Sequence, residues 1–228
     1  AGAVVAEVAL MASLTPGAPM SHRAVVALFH EVGHVVHHLC ASRSRWIALN
    51  GLPQGRDTVE VAPHVFESWA WEPEVLTALG WSPADVQQVH DHDRSTRGAR
   101  VMRQLLYSDY SLSIHQHDGL SQGLDALDAA MFERHGEGAE HAERLYAHFP
   151  HLIAYGATYF AYPWSRAVAC DVLSGISGPT CAAGALRPFM EELLSPGQAH
   201  DVSAGLVRLL GRPWHVQAYL DWIDAAGG

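Results

Sequence analysis

Apolar residues recur at three- and four-residue intervals through Val25, Leu28, Phe29, Val32, Val35, Val36 and Leu39. That period predicts an amphipathic helix, with Ser21 as its cap, running to about residue 39. Upstream, residues 7–14 are short, apolar and closed by Thr15-Pro16-Gly17, which predicts a strand. After the first helix, Asn50 to Gly55 is rich in turn residues and predicts a loop. Asp57 or Thr58 can cap a second helix reaching about Gly80, with Pro63 in its early turns, where proline costs least. Ser82 and Pro83 open a third helix as cap and first helical residue. Helical pattern resumes over 97–113 and again over 120–134, and a break follows at 136–138. Residues 146–162, aromatic and interrupted by glycine, predict a loop packed against a site. Helices over 163–173, 182–194, 201–210 and 214–226 complete a mainly α domain, one unit over 1–228 with no internal repeat and no low-complexity linker.

The chain has 228 residues, 49% of them hydrophobic and 17% charged, which supports a packed core and argues against disorder. Its net charge of -10, with no Lys/Arg run, argues against a nucleic-acid partner. No apolar stretch is long enough to span a bilayer, and 1–14 lacks the basic leader of a signal peptide. The three cysteines, Cys40, Cys170 and Cys181, are widely spaced and odd in number, so a disulfide framework is not expected. A reducing, cytoplasmic setting fits them. The 16 histidines are scattered, and the default role of each is surface or packing.

Two of them break that default. His30 and His34, one helical turn apart in His30-Glu31-Val32-Gly33-His34, present both imidazoles on one face, as two ligands of a tetrahedral zinc require. Glu31 can reach the water in an open coordination position and take its proton. Gly33 leaves room beside the metal. A bare match of this kind has a serious structural alternative. The flanking apolar residues predict a semi-buried setting for His30, Glu31 and His34, and a buried carboxylate between two imidazoles is costly unless it is paired or metal-bound. A catalytic zinc needs a third protein ligand. Asp57, Glu60, Glu67, Glu72 and Glu74 are candidates. Glu60 follows His30 by thirty residues, where a helix, a loop and an antiparallel helix would return it to the site. Glu67 falls on the same face, and Asp57 could hydrogen-bond a ligand histidine from behind. Glu72 and Glu74 read as solvated carboxylates.

These segments resemble a known family. Residues 28–39 (LFHEVGHVVHHL) are similar to the His-Glu-Phe-Gly-His-x-x-His helix of the thimet oligopeptidase and oligoendopeptidase F zinc peptidases, with His37 on its last histidine. Residues 57–76 resemble the family's Asp-Phe-Val-Glu-Ala-Pro-Ser-Gln-x-x-Glu-x-Trp helix. The resemblance makes Glu60 the third zinc ligand and places Glu67 on the second Glu. Residues 149–173 resemble a third segment, in which His151, Tyr155, Tyr159 and Tyr162 match a His and tyrosines of a loop that closes over substrate. The resemblance covers most of the chain, from about residue 9 to 218.

It implies a zincin-like helical catalytic domain with a short N-terminal strand region. It implies Zn2+ as cofactor and hydrolysis of peptide bonds in short oligopeptides. Tyrosine and histidine donors would stabilise the oxyanion, with His151, Tyr159 and Tyr162 catalytic and Tyr155 binding substrate. The chain departs from the pattern at Val32, at Val61-Ala62-Pro63-His64, at Pro150, and in lacking a double glycine before Tyr155. Family members are also longer, and the helical N-terminal half that walls a deep channel has no counterpart here. A partner chain or a further region would complete that channel. Two other readings remain beside the peptidase: a zinc hydrolase of another amide or ester, and a metal-binding module with weak or no activity.

Overall fold

We describe a computed structural model of the chain, covering residues 6–12, 14, 15, 17–42, 44–52, 55–116, 121–199 and 201–225, without the side chains of Arg56 and Ala199. The described residues are helical or irregular, and no strand occurs among them. This confirms the mainly α expectation and corrects the N-terminal strand. Residues 7–12 and 14 are irregular, and Ser13 lies outside the described residues. A strand needs a neighbour to take its backbone N–H and C=O groups, and no strand is offered to it among the described residues. Within the domain expected over 1–228, the chain forms two compact units, residues 1–94 with 165–228, and residues 95–164.

In the first unit, helix α1 (His22–Cys40) starts where Ser21 Oγ accepts the Ala24 N–H at 3.3 Å. Its sequence carries two apolar stripes. Val25, Val26 and Phe29 pack with Ala70, Leu76 and Val86, while Val32, Val36 and Cys40 pack on the main core. The single helix expected after residue 57 is broken into α2 (Arg56–Val59), α3 (Val61–Glu67), a 3-10 turn at Ser68–Trp71 and α4 (Pro73–Ala78). Prolines account for the interruptions. Pro63 has no N–H to continue a helix from α2, and the residue before Pro73, Glu72, is extended, as residues preceding proline are. Every residue of α3 is buried.

Helix α5 (Pro83–Ile114) is continuous where two helical stretches were expected. No glycine or proline interrupts residues 84–97, so the polar stretch stays helical. Ser82 and Asp85 form a reciprocal capping box at its start, each side chain accepting the other's backbone N–H at 3.2 Å.

The second unit contains the rest of α5, α6 (Leu124–Arg134), α7 (Leu145–His148) and α8 (His151–Ala154). Leu120, the expected start of α6, lies outside the described residues. The expected 146–162 loop is thus built of short helical turns. Fully buried Asp128 of α6 accepts the backbone N–H groups of Arg144 and Leu145 at 2.7 and 3.0 Å, which caps α7. Leu106, Tyr110, Leu127, Met131, Phe132 and Leu145 form this unit's core.

The chain returns to the first unit within α9 (Ala161–Ser174). Val168, Ala169 and Val172 of α9 pack on Val61, Ala62, Val65 and Phe66 of α3. Next come α10 (Arg187–Phe189), a π-helical turn over Met190–Leu194, α11 (Val202–Leu210) capped by Asp201, and α12 (Gln217–Asp224). Ala226, the expected end of the last helix, lies outside the described residues. Fully buried Asp171 of α9 accepts both Arg212 Nη groups at 2.7 and 2.8 Å and the His215 N–H at 3.0 Å, so the segment leading into α12 is tied to α9.

Candidate metal centre

Helices α1 and α3 approach closely because Gly33 faces the backbone of Pro63 and Ala62, with no room for a side chain between them. Glycine in this motif therefore serves helix approach, where room beside a metal was expected. The approach brings Glu60, at the joint between α2 and α3, up to the histidine face of α1. Glu60 Oε2 lies 3.2 Å from His30 Nε2 and 3.4 Å from His34 Nε2. Neither contact is aligned as a hydrogen bond, and Oε2 is buried without a hydrogen-bond partner.

That combination fits a shared cation. Zinc with bonds of about 2.0–2.2 Å in a tetrahedron has ligand atoms about 3.3–3.6 Å apart, close to the spacings found. His30, His34 and Glu60 can hold a metal ion together. In the absence of an ion, burial lowers the His30 pKa, but the carboxylates of Glu60 and Glu67 beside the ring outweigh it and raise it to about 9. Burial likewise raises Glu60, and the two imidazoles more than reverse this, taking it to about 2.

Behind His30 is a second carboxylate. Glu67, only 6% exposed, accepts from His30 Nδ1 at 2.7 Å and from His64 Nδ1 at 3.1 Å through one oxygen. Its other oxygen takes Arg166 Nη2 at 2.9 Å. Burial opposes its ionisation, and Arg166 with the two histidines overcomes that, holding the carboxyl well below its usual range. His30, His64 and Glu67 also satisfy the spacing for a metal ion. There, however, the contacts are hydrogen bonds, and a guanidinium already supplies the positive charge.

Asp57 is not part of this arrangement. Its side chain is exposed and turned toward Gly55, while His30 Nδ1 faces Glu67 and His34 Nδ1 is buried without a partner. Asp57 sits in the short turn before the joint, which carries its carboxylate away from α1. Glu31, expected in a semi-buried setting, is exposed on α1, while His30 and His34 are half-buried. His37 is 3% exposed and lies in the core, where burial, and then His34 and His38, lower its pKa to about 4. Sequence reasoning missed His64 and Arg166. The signal for Arg166 was present, since α9 carries one cation and one anion, Arg166 and Asp171, and each needs a partner of opposite charge when buried.

In the second unit, His151, Tyr155, Tyr159 and Tyr162 do come together. His151 stacks on Tyr155 at 5.4 Å between centroids and meets Tyr159 and Tyr162 edge-on at 5.1 and 5.9 Å. His151 Nδ1 is buried without a partner, and burial lowers its pKa. The Tyr159 hydroxyl, expected to face a reacting group, donates to Gln104 Oε1 at 3.1 Å. Burial pushes its pKa up to about 12.

A helical domain with two histidines and a glutamate converging to ion-binding distance defines a candidate metal-dependent enzyme, and comparison with known proteins gives the family. The model of peptidase family M3 matches residues 5–224, so the chain belongs to that family. It is similar to oligopeptidase A of Salmonella typhimurium, at 25% identity over 91% of this chain and 32% of that protein. The dipeptidyl carboxypeptidase of Escherichia coli is 29% identical over 85% of this chain and 30% of its own length. A probable thimet oligopeptidase of Arabidopsis thaliana is 25% identical, covering 89% and 30%. The chain thus spans about a third of the length of these relatives. Among the described residues, no helix is long and apolar enough to cross a membrane.

Proposed function

We propose that this chain carries the catalytic centre of a zinc-dependent endopeptidase that hydrolyses short oligopeptides. The observation behind the proposal is the convergence of His30 Nε2, His34 Nε2 and Glu60 Oε2 on one point, with the carboxylate oxygen left without a hydrogen bond. These three residues would hold the ion. When bound, zinc supplies a Lewis acid that polarises the scissile carbonyl and lowers the pKa of water.

The protein's own residues do the rest. Glu67 accepts from His30 Nδ1, fixing the tautomer that presents Nε2 as a ligand. Glu31, exposed beside His30 on α1, takes a proton from the attacking water and returns it to the leaving amine. By the resemblance of residues 149–173 to the family's loop over substrate, His151 and Tyr162 would donate to the oxyanion, and Tyr155, the most exposed ring of its cluster, would bind substrate. Tyr159 holds that cluster together through Gln104. Asp57 receives no role. A further region or partner chain of the kind the longer relatives contain would confine the peptide. A cytoplasmic location suits three cysteines outside any disulfide.

Metal analysis together with Glu31→Gln tests the reading. About one zinc per chain is expected for both proteins, with hydrolysis of a short quenched peptide lowered by about 10²–10⁴-fold in the variant. Unchanged turnover in the variant would remove Glu31 from the mechanism. Absence of zinc would remove the reading altogether.

A further inference from the structure

We propose that Arg166, held between Glu67 and the indole of Trp222, positions the His30 imidazole, so that helix α12 helps set zinc affinity. This rests on the zinc reading above.

The argument begins at His30. Its Nε2 faces the metal point, and the angle at which it does so depends on rotation about the bond joining ring to Cβ. A hydrogen bond at Nδ1 fixes that rotation, provided the acceptor is itself fixed. The acceptor is Glu67, whose other oxygen meets Arg166 at 2.9 Å. A long arginine side chain is mobile unless something restrains it. Here the guanidinium carbon lies 5.3 Å from the centre of the Trp222 ring. Trp222 is in turn stacked on buried Tyr219, at 5.7 Å and 16° between planes. Both aromatics belong to α12, and the segment before it is tied to α9, the helix carrying Arg166, by the Asp171–Arg212 pair. The chain of contacts therefore runs from α12 through Arg166 and Glu67 to the ligand ring. Arginine suits this place because its planar fork can meet a carboxylate and lie over a ring at once, which an ammonium does not do.

The test uses charge-conserving changes at Trp222 and Arg166, each compared within one background, because removing a cation beside a metal centre would by itself favour metal binding. Zinc affinity is measured by chelator competition at one pH on the full chain, with the melting temperature of the metal-free protein alongside. Trp222→Leu and Arg166→Lys are each expected to weaken zinc binding about two- to fivefold, the worth of one cation–π contact. Trp222→Phe, which keeps a ring face, should stay within about twofold of the parent. In a Glu67→Gln background, Trp222→Leu should produce no further change, because the link to His30 is already cut. A merely structural role for Trp222 would give the same loss in either background, and that result overturns the proposal. So does parental affinity in both Trp222→Leu and Arg166→Lys. Should Trp222→Leu not fold, Arg166→Lys in the two backgrounds decides the matter alone. A parent protein that takes up no zinc refutes the zinc reading itself, a distinct outcome.

Discussion

Gly33 and Pro63 touch backbone to backbone where α1 meets α3: a β-carbon on Gly33 would lie 2.5 Å from Pro63 Cα and 2.8 Å from its nitrogen. Both atoms belong to main chain, so neither can swing aside. The contact sets how near Glu60 comes to His30 and His34. Gly33→Ala is expected to destabilise the chain by about 1–3 kcal/mol through overpacking, despite the better helix propensity of alanine. It should also weaken zinc binding, because the helices must part. Denaturant unfolding and chelator competition check the two effects. Parental values for both would show that the helices meet differently.

Metal uptake should release protons. Without an ion, His30 is raised to about 9 and is therefore protonated at pH 7. A zinc ligand must be neutral, so binding at pH 7 is expected to release about one proton from this ring. Titration calorimetry in buffers of different ionisation enthalpy measures the number. It should fall toward zero as the pH passes about 9. The sign for folding follows from the same shift. His30 stabilises the metal-free chain fully below its ordinary pKa of 6.5, and that contribution is lost as the pH rises through about 9.

His37 acts in the opposite sense. Its folded pKa, about 4, lies below the ordinary 6.5, so the unfolded chain binds its proton first. Stability is lost as the pH falls below 6.5 and levels off near 4. Over the step from about pH 6.5 to 5 the loss from this one group is about 2 kcal/mol. His37→Leu should remove that part of the acid sensitivity. Parallel pH–stability curves for parent and variant would contradict it.

Two tyrosines that look alike in sequence should behave differently. Tyr159→Phe removes the donor to Gln104 in a buried place. It is expected to cost about 0.5–1.5 kcal/mol of stability. Tyr162→Phe should lower kcat on a short peptide by about 10-fold or more, as loss of an oxyanion donor does. Thermal melts and steady-state kinetics on both variants separate the roles. The reverse pattern would exchange them.

The sequence and the structure agree most where local spacing decides the outcome. The period of α1 and the Ser21 cap were readable because capping and amphipathicity act within a few residues. The proximity of Glu60 to the two histidines was within reach for the same reason, since a helix, a loop and a returning helix leave few alternatives. The strand expected over 7–14 failed because strand formation depends on a partner that local composition does not reveal. The continuous α5 was misread as two helices because a polar stretch looks like a loop when it lacks an apolar stripe. Asp57 was misplaced by a break at Glu60 that turns its side chain away, and Tyr159 by a glutamine far away in sequence. Arg166 reaches Glu67 only through tertiary packing, so spacing alone could not pair the two, whereas His64 stands three residues before Glu67 on α3, a pairing that local spacing contains.

The buried charges around His30 can be tallied. Without an ion at neutral pH, the protonated ring and Arg166 balance Glu60 and Glu67, and the group sums to zero. With a divalent ion in place of the ring proton, the same four side chains and the ion sum to plus one. The carboxylate of Glu31, the base proposed beside the ion, cancels that excess. The guanidinium behind Glu67 thus lets a centre with three carboxylates reach neutrality with a single divalent ion.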